Sequence, residues 1–222
     1  KIKSNTWKNS IVISILFFLA LLSKELGIIL PILIFFMYMY LNVNPEKKYI
    51  KNIEDFFYEY YKLIICLIFS FFIYFILRLQ AMGDIYHETL DKNYIQEIYL
   101  ENYLPIHSLF FYIKQFIVPF NELTPLLPFD HLNDHKINIL LKSIVILTTI
   151  IGIAWALIKK NQHIWLFLSA LFSIFLVIYL IPLTIANNIA HNRFMTLGVA
   201  FISILIVILP YEKLRLSLQR SI

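Results

Sequence analysis

Six apolar runs of 16 to 22 residues recur along this chain of 222, at residues 8–23, 27–43, 62–80, 137–158, 164–185 and 196–211, and most of its charge falls between them. A helix needs about twenty largely apolar residues (roughly 17–25) to cross the hydrocarbon core of a bilayer. No water there satisfies exposed N–H and C=O groups, so such a run folds as a helix, whose backbone bonds are internal. The pattern predicts an all-α polytopic membrane protein of about six transmembrane helices. Composition excludes other classes. Some 60% of residues are hydrophobic and only 15% charged, against roughly a quarter charged in a soluble domain, and this apolar content rules out a disordered chain. Residues 1–222 read as a single membrane domain, with 81–136 as an outer loop.

The net charge of +5 does not point to nucleic acid, because charge in a membrane protein is read by location. Lys1, Lys3 and Lys8 precede the first run, and Lys47, Lys48, Lys51 and Lys62 lie between the second and third. Lys159 and Lys160 separate the fourth from the fifth, and Lys213, Arg215 and Arg220 follow the sixth. Six spans put all of these on one side, so both termini are expected in the cytoplasm. The other side holds Asp84, Glu88, Asp91, Glu97 and Glu101, with Lys92 among them. A seventh span at "HSLFFYIKQFIVPF", residues 107–120, would break this asymmetry; the segment is also short and carries Lys114. It reads instead as an outer interfacial helix, with aromatic residues at headgroup level. The single cysteine, Cys66, excludes an intrachain disulfide. No small-residue cleavage site follows the first run and position 1 is not Met, so the run is expected to be a retained span in a piece of a longer protein.

Charges stranded near the outer face are the candidate site residues. Ser23-Lys24-Glu25 stands between the first two runs, as a hairpin turn or as a break at the membrane surface. Neighbours on a helix point about 100° apart, so Lys24 and Glu25 each need a separate partner. Either their stems snorkel along the interface, or Glu25 orients a cation and Lys24 meets an anion in a polar cleft. Arg193 lies in a short outer loop with Asn187, Asn188, His191 and Asn192. Its guanidinium suits two phosphate oxygens at once, and lipid headgroups are the plainer partner. Arg78 ends the third run as an interfacial anchor or a further site cation. "DHLNDH", residues 130–135, spaces His131 and His135 for a divalent metal if helical, but reads more readily as a loop capping the fourth span. No phosphate-binding glycine loop or nucleophile elbow is present.

Three stretches carry a family resemblance. "LLSKELGIILP" resembles the lysine-containing helix pair of GT-C glycosyltransferases, "FFYIKQFIVPFNELTPLLPF" their bacterial aromatic, Tyr and Pro-x-x-Leu segment, and "NNIAHNRFMTLG" the late arginine loop. The closest similarity is to the protein O-mannosyltransferase-like branch that includes the transmembrane and tetratricopeptide-repeat proteins. Met195-Thr196-Leu197 stands where that branch continues with Tyr and Pro, and Asn192 replaces its acid. The resemblance implies a GT-C-like fold in a bacterial plasma membrane, with both termini of this chain cytoplasmic. It also implies sugar transfer from a polyprenyl-phosphate donor to a protein or glycan acceptor at the outer face. Arg193, Lys24, Glu25, Arg78 and His191 would line the donor-phosphate side, and the catalytic acids would lie upstream. No cofactor is implied with certainty, although a divalent metal fits the chemistry. A transporter, a polymerase or ligase of lipid-linked glycans, and a scaffold binding a partner through residues 81–106 are the alternatives.

Overall fold

The structure is a computed structural model and describes residues 6–44, 46–82, 99, 103–117, 127–128, 136–175, 189–190 and 196–220. The described residues are helical except for turns and one two-residue strand pair. Contacts divide the chain into two compact units, Lys1–His87 and Glu88–Ile222.

In the N-terminal unit α1 spans Trp7–Ser23, and Thr6 caps it by accepting from the Asn9 N–H at 3.4 Å. Lys24 leaves the helix in an extended conformation while its N–H still reaches the Ala20 carbonyl at 2.9 Å. A 3-10 turn, Glu25–Ile29, then leads into α2, Leu30–Asn42, whose Pro31 occupies a first-turn position where no N–H is required. Gly27 lies so close to the last turn of α1 that a Cβ there would stand 3.1 Å from Ala20 C and Leu21 N. Glycine is what permits the chain to fold back so tightly.

The third helix, α3, runs Tyr49–Met82. It begins thirteen residues before the predicted span at 62, because its polar first third is fixed by tertiary contacts. Asn52, buried, clips the preceding turn at two points: its Oδ1 accepts from Asn44 N–H and its Nδ2 donates to Asn44 O, both at 3.2 Å. Lys47 pairs with Asp55 at 2.7 Å, which holds that carboxyl below the usual range. Tyr60 has non-helical angles (φ −110°, ψ 15°), and the bend coincides with a ring cluster of Phe35, Tyr38, Phe56 and Tyr60.

Helix directions follow from side-chain register. Lys62 Nζ lies 5.8 Å from the Trp7 ring centroid, and Ser70 Oγ donates to Ser14 O at 3.1 Å. Both pairs are offset by 55 or 56 residues, so α1 and α3 run parallel. Leu30 and Ile34 of α2 pack against a core of Phe17, Leu21, Leu63 and Leu67, whereas Tyr38 further along reaches back to Glu59. Helix α2 therefore runs antiparallel to α3, and residues 23–26 form a hairpin turn.

In the C-terminal unit, α4 spans Leu104–Ile117, α5 Lys136–Ile158, α6 Ile164–Ser173 and α7 Thr196–Arg220. With 14 residues α4 reaches about 21 Å, too short to cross a bilayer, as expected. It is nonetheless a packed element: Leu104, His107, Phe111, Tyr112 and Ile113 are buried, and it lies against α5 and α7. A five-residue turn joins α5 to α6. Lys160 there has φ 52°, with Asn161 N–H on Ala156 O and Lys160 N–H on Leu157 O, the bond pattern of a Schellman motif. Strands β1, Leu127–Pro128, and β2, Ile189–Ala190, pair antiparallel.

Two helices among the described residues are long and apolar enough to cross a membrane, Tyr49–Ala81 and Asn138–Ile158, and four shorter ones are apolar. The outward surface of α5 carries Leu140, Leu141, Leu147, Ile151, Trp155 and Ile158. An apolar face of that extent suits lipid, not water.

Candidate functional site

Lys24 is exposed at the hairpin turn. The offset between α1 and α3 places it level with Leu79 and Gln80, adjacent to Arg78. Arg78 is half-buried, and its Nη1 donates at 2.8 Å to the hydroxyl of Tyr74, itself packed on the core of the unit. Lys24 and Arg78 thus share one end of the N-terminal unit. Lys47, Lys48, Lys51 and Lys62 belong to the other, where Trp7 stacks under Lys62. An apolar cleft of about 450 Å³ runs beside the α1–α3 seam. Its lining includes Ser14 and Ser70, whose hydroxyls are spent on the carbonyls of Ile11 and Ser14, and the free thiol of Cys66; the rest is apolar.

In the C-terminal unit the strand pair ties two distant segments together. Leu127 opposes Ala190 and Pro128 opposes Ile189, joining a short segment before α5 to one a few residues before Arg193 in the sequence. Arg193 and His191 themselves lie outside the described residues, as do His131 and His135. Among the described residues no group of three or more His, Cys, Asp or Glu forms a metal site.

The most unusual polar contact was not singled out by the sequence. Lys142 Nζ, on α5, lies 2.9 Å from His107 Nδ1, on α4, and both residues are buried, at 5% and 2% exposure. The Phe110 ring centroid is 5.8 Å from the same ammonium. A bond between two nitrogens uses one proton. With the lysine charged, its ammonium donates to Nδ1 and the ring proton sits on Nε2; with the lysine neutral, Nδ1–H donates to the amine. Buried Ser108, Ser169 and Ser173 differ in kind, since each hydroxyl bonds a carbonyl of its own helix and serves as a small packing residue. One signal pointed to Lys142: it is the sole charge in the run 137–158, and an ionisable residue within such a run marks a site by default.

The tightest approach in this unit is at Gly198, five residues beyond Arg193. A Cβ there would lie 2.7 Å from Phe116 Cε1 and from Ser173 Oγ. Small residues allow α4, α6 and α7 to meet at this point. Comparison with models of known families, with curated proteins and with solved structures finds no match for the chain.

Proposed function

We propose that this chain is part of a polytopic membrane glycosyltransferase that moves a sugar from a polyprenyl-phosphate donor to a protein or glycan acceptor at the outer face. On this reading the six apolar runs of the sequence span the bilayer, of which the described α2 and α6 are parts, both termini of the chain are cytoplasmic, and α4 sits at the outer boundary. The observation that carries the proposal is the pairing of Leu127–Pro128 with Ile189–Ala190. It draws together the outer loop and the arginine loop, two of the three segments that resemble GT-C enzymes.

Inversion at the anomeric carbon requires a carboxylate to take the acceptor's proton and cations to stabilise the departing phosphate. The carboxylate is assigned upstream of this chain. Arg193 is assigned to the phosphate, its two-pronged donor matching two oxygens, with His191 beside it in sequence. Lys24, Glu25 and Arg78 are assigned to the outer end of the N-terminal unit, where they meet anionic headgroups.

The test is sugar transfer by the full-length protein in liposomes from a panel of polyprenyl-phosphate sugars, wild type beside Arg193→Ala. Transfer is expected from at least one donor and is expected to disappear with the arginine while the protein stays folded. A well-folded wild type that transfers from no donor refutes the reading.

A further inference from the structure

We infer that the cleft between α1 and α3 holds one anionic phospholipid of the bilayer, its phosphate on Lys62 and an acyl chain in the cleft; this rests on the reading above that α1 and α3 cross the membrane. The head end is the first ground. Lys62 is half-buried, and its Nζ lies 5.8 Å from the ring centroid of Trp7 and 5.7 Å from that of Tyr61. Both rings are within cation–π range of the ammonium. Among the described residues Lys62 makes no salt bridge; those of this unit join Lys47 to Asp55 and Lys51 to Glu54. Glu59, one turn away, accepts from the Tyr38 hydroxyl of α2 at 3.3 Å. Lys8, next to Trp7 in the chain, is exposed and adds positive charge at the same end. Rings attract a cation without neutralising it, so this end of the unit complements an anionic headgroup.

The cleft is the second ground. The offset between α1 and α3 sets Lys62 level with Trp7, Cys66 with Ile11 and Ile73 with Phe18. The cleft of about 450 Å³ therefore opens one turn from Lys62, at Ile11 and Cys66, and ends at Phe18 and Ile73. Small, buried Ser14 and Ser70 form its floor, and exposed Ile15 and Phe69 stand at its sides. From Trp7 to Phe18 the helix rises about 17 Å at 1.5 Å per residue. That is one leaflet of a hydrocarbon core about 30 Å thick. A cation at the boundary and an apolar channel one leaflet deep are what a phospholipid presents in reverse.

Other occupants fit less well. A further transmembrane helix, or an uncharged lipid, would cover the apolar walls and leave the ammonium without an anion. A headgroup with a cation of its own, such as choline, partly neutralises its phosphate and competes with Lys62 for the two rings.

The experiment is native mass spectrometry of lipids retained by the full-length protein after release from nanodiscs of phosphatidylglycerol and phosphatidylcholine with the same chains. Wild type is expected to retain phosphatidylglycerol over phosphatidylcholine. Lys62→Gln is expected to lose about fivefold of that preference, the effect of one lysine near an anionic headgroup, and Lys62→Arg to keep it. Ile15→Trp, which fills the cleft from its exposed side, is expected to lower retention of both lipids at unchanged unfolding temperature. A phosphatidylglycerol with a photoreactive diazirine in its acyl chain reads the location. Label is expected on residues 11–18 and 65–73 of wild type, displaced by unlabelled phosphatidylglycerol more readily than by phosphatidylcholine. That labelling decides should a variant not fold. An unchanged preference in Lys62→Gln, unchanged retention in Ile15→Trp, or label absent from those residues or spread evenly over the helices overturns the inference. A protein that does not enter nanodiscs refutes the membrane-spanning reading itself, whereas one that enters and shows no preference refutes this site alone. Sugar transfer is a separate readout, and transfer that persists in Lys62→Gln leaves the glycosyltransferase reading standing whatever becomes of the lipid.

Discussion

Replacing Gly198 with alanine should destabilise the protein by about 1 kcal/mol, the balance of overpacking against propensity, even though alanine is the better helix former. The new Cβ would meet Phe116 Cε1 and Ser173 Oγ at 2.7 Å and Phe116 Cζ at 2.8 Å, whereas carbon atoms in contact settle at about 3.5–4.0 Å. Both neighbours must retreat by roughly an ångström on that scale. Ser173 can do so only by giving up its 2.6 Å bond to Ala170 O, and Phe116 only by tilting out of its packing. Overpacking of this kind costs about 1–3 kcal/mol, and removing a helical glycine returns about 1 kcal/mol. The assay is reversible unfolding of the full-length protein in mixed micelles. In a Phe116→Ala/Ser173→Ala background the obstacle is gone, and Gly198→Ala should change sign, stabilising by about 1 kcal/mol. A neutral or stabilising effect in the wild-type background, or the same loss in both backgrounds, refutes the packing argument.

Lys160 occupies a left-handed position where glycine is favoured, so Lys160→Gly should stabilise by about 1 kcal/mol, seen as a raised unfolding midpoint. Ser70→Ala removes the bond to Ser14 O between α1 and α3 and should cost about 1 kcal/mol in the same assay. The Asp55 carboxyl is lowered by its hydrogen bond to Lys47. Its contribution is therefore full above the unfolded carboxylate value of about 3.9 and is lost as pH falls through the folded value. The pair is solvent-exposed, so the effect is a small drop in unfolding temperature on acidification, which Lys47→Met should abolish.

Hydropathy located α1 and α5 almost to the residue, 8–23 against Trp7–Ser23 and 137–158 against Lys136–Ile158, because polar residues bound those runs sharply. It placed the start of α3 at 62 rather than 49, since residues 49–61 carry Lys51, Glu54, Asp55 and Glu59 and read as a loop. What makes them helical is non-local: the Asn52 clip on Asn44 and the rings that α2 lays against Phe56 and Tyr60. Residues 107–120 were legible as a short helix from their length and Lys114. Its buried side was not, because "HSLFFYIKQFI" shows nothing of which neighbour covers His107.

Two lysines show how position decides the cost of a charge. Lys24 stands out in the sequence, yet it lies exposed on a turn, where its head stays solvated at little expense. Lys142 is only about 9 Å from the start of α5 at 1.5 Å per residue, within reach of the helix end, and still it is 5% exposed. Insertion of a lysine near the centre of a membrane helix costs about 2.5–3.5 kcal/mol, and leaving an imidazole nitrogen without a donor costs about 1–3 kcal/mol. Lys142→Met removes the first cost and incurs the second, so the net effect runs from a loss of about 0.5 to a gain of about 2.5 kcal/mol. His107→Leu takes away the imidazole acceptor and leaves the buried lysine with one bond fewer, at a loss of about 1.5–3 kcal/mol. The asymmetry is measurable in the same unfolding assay. Equal losses in the two variants would mean that the pair is a neutral hydrogen bond, with no positive charge held in the seam.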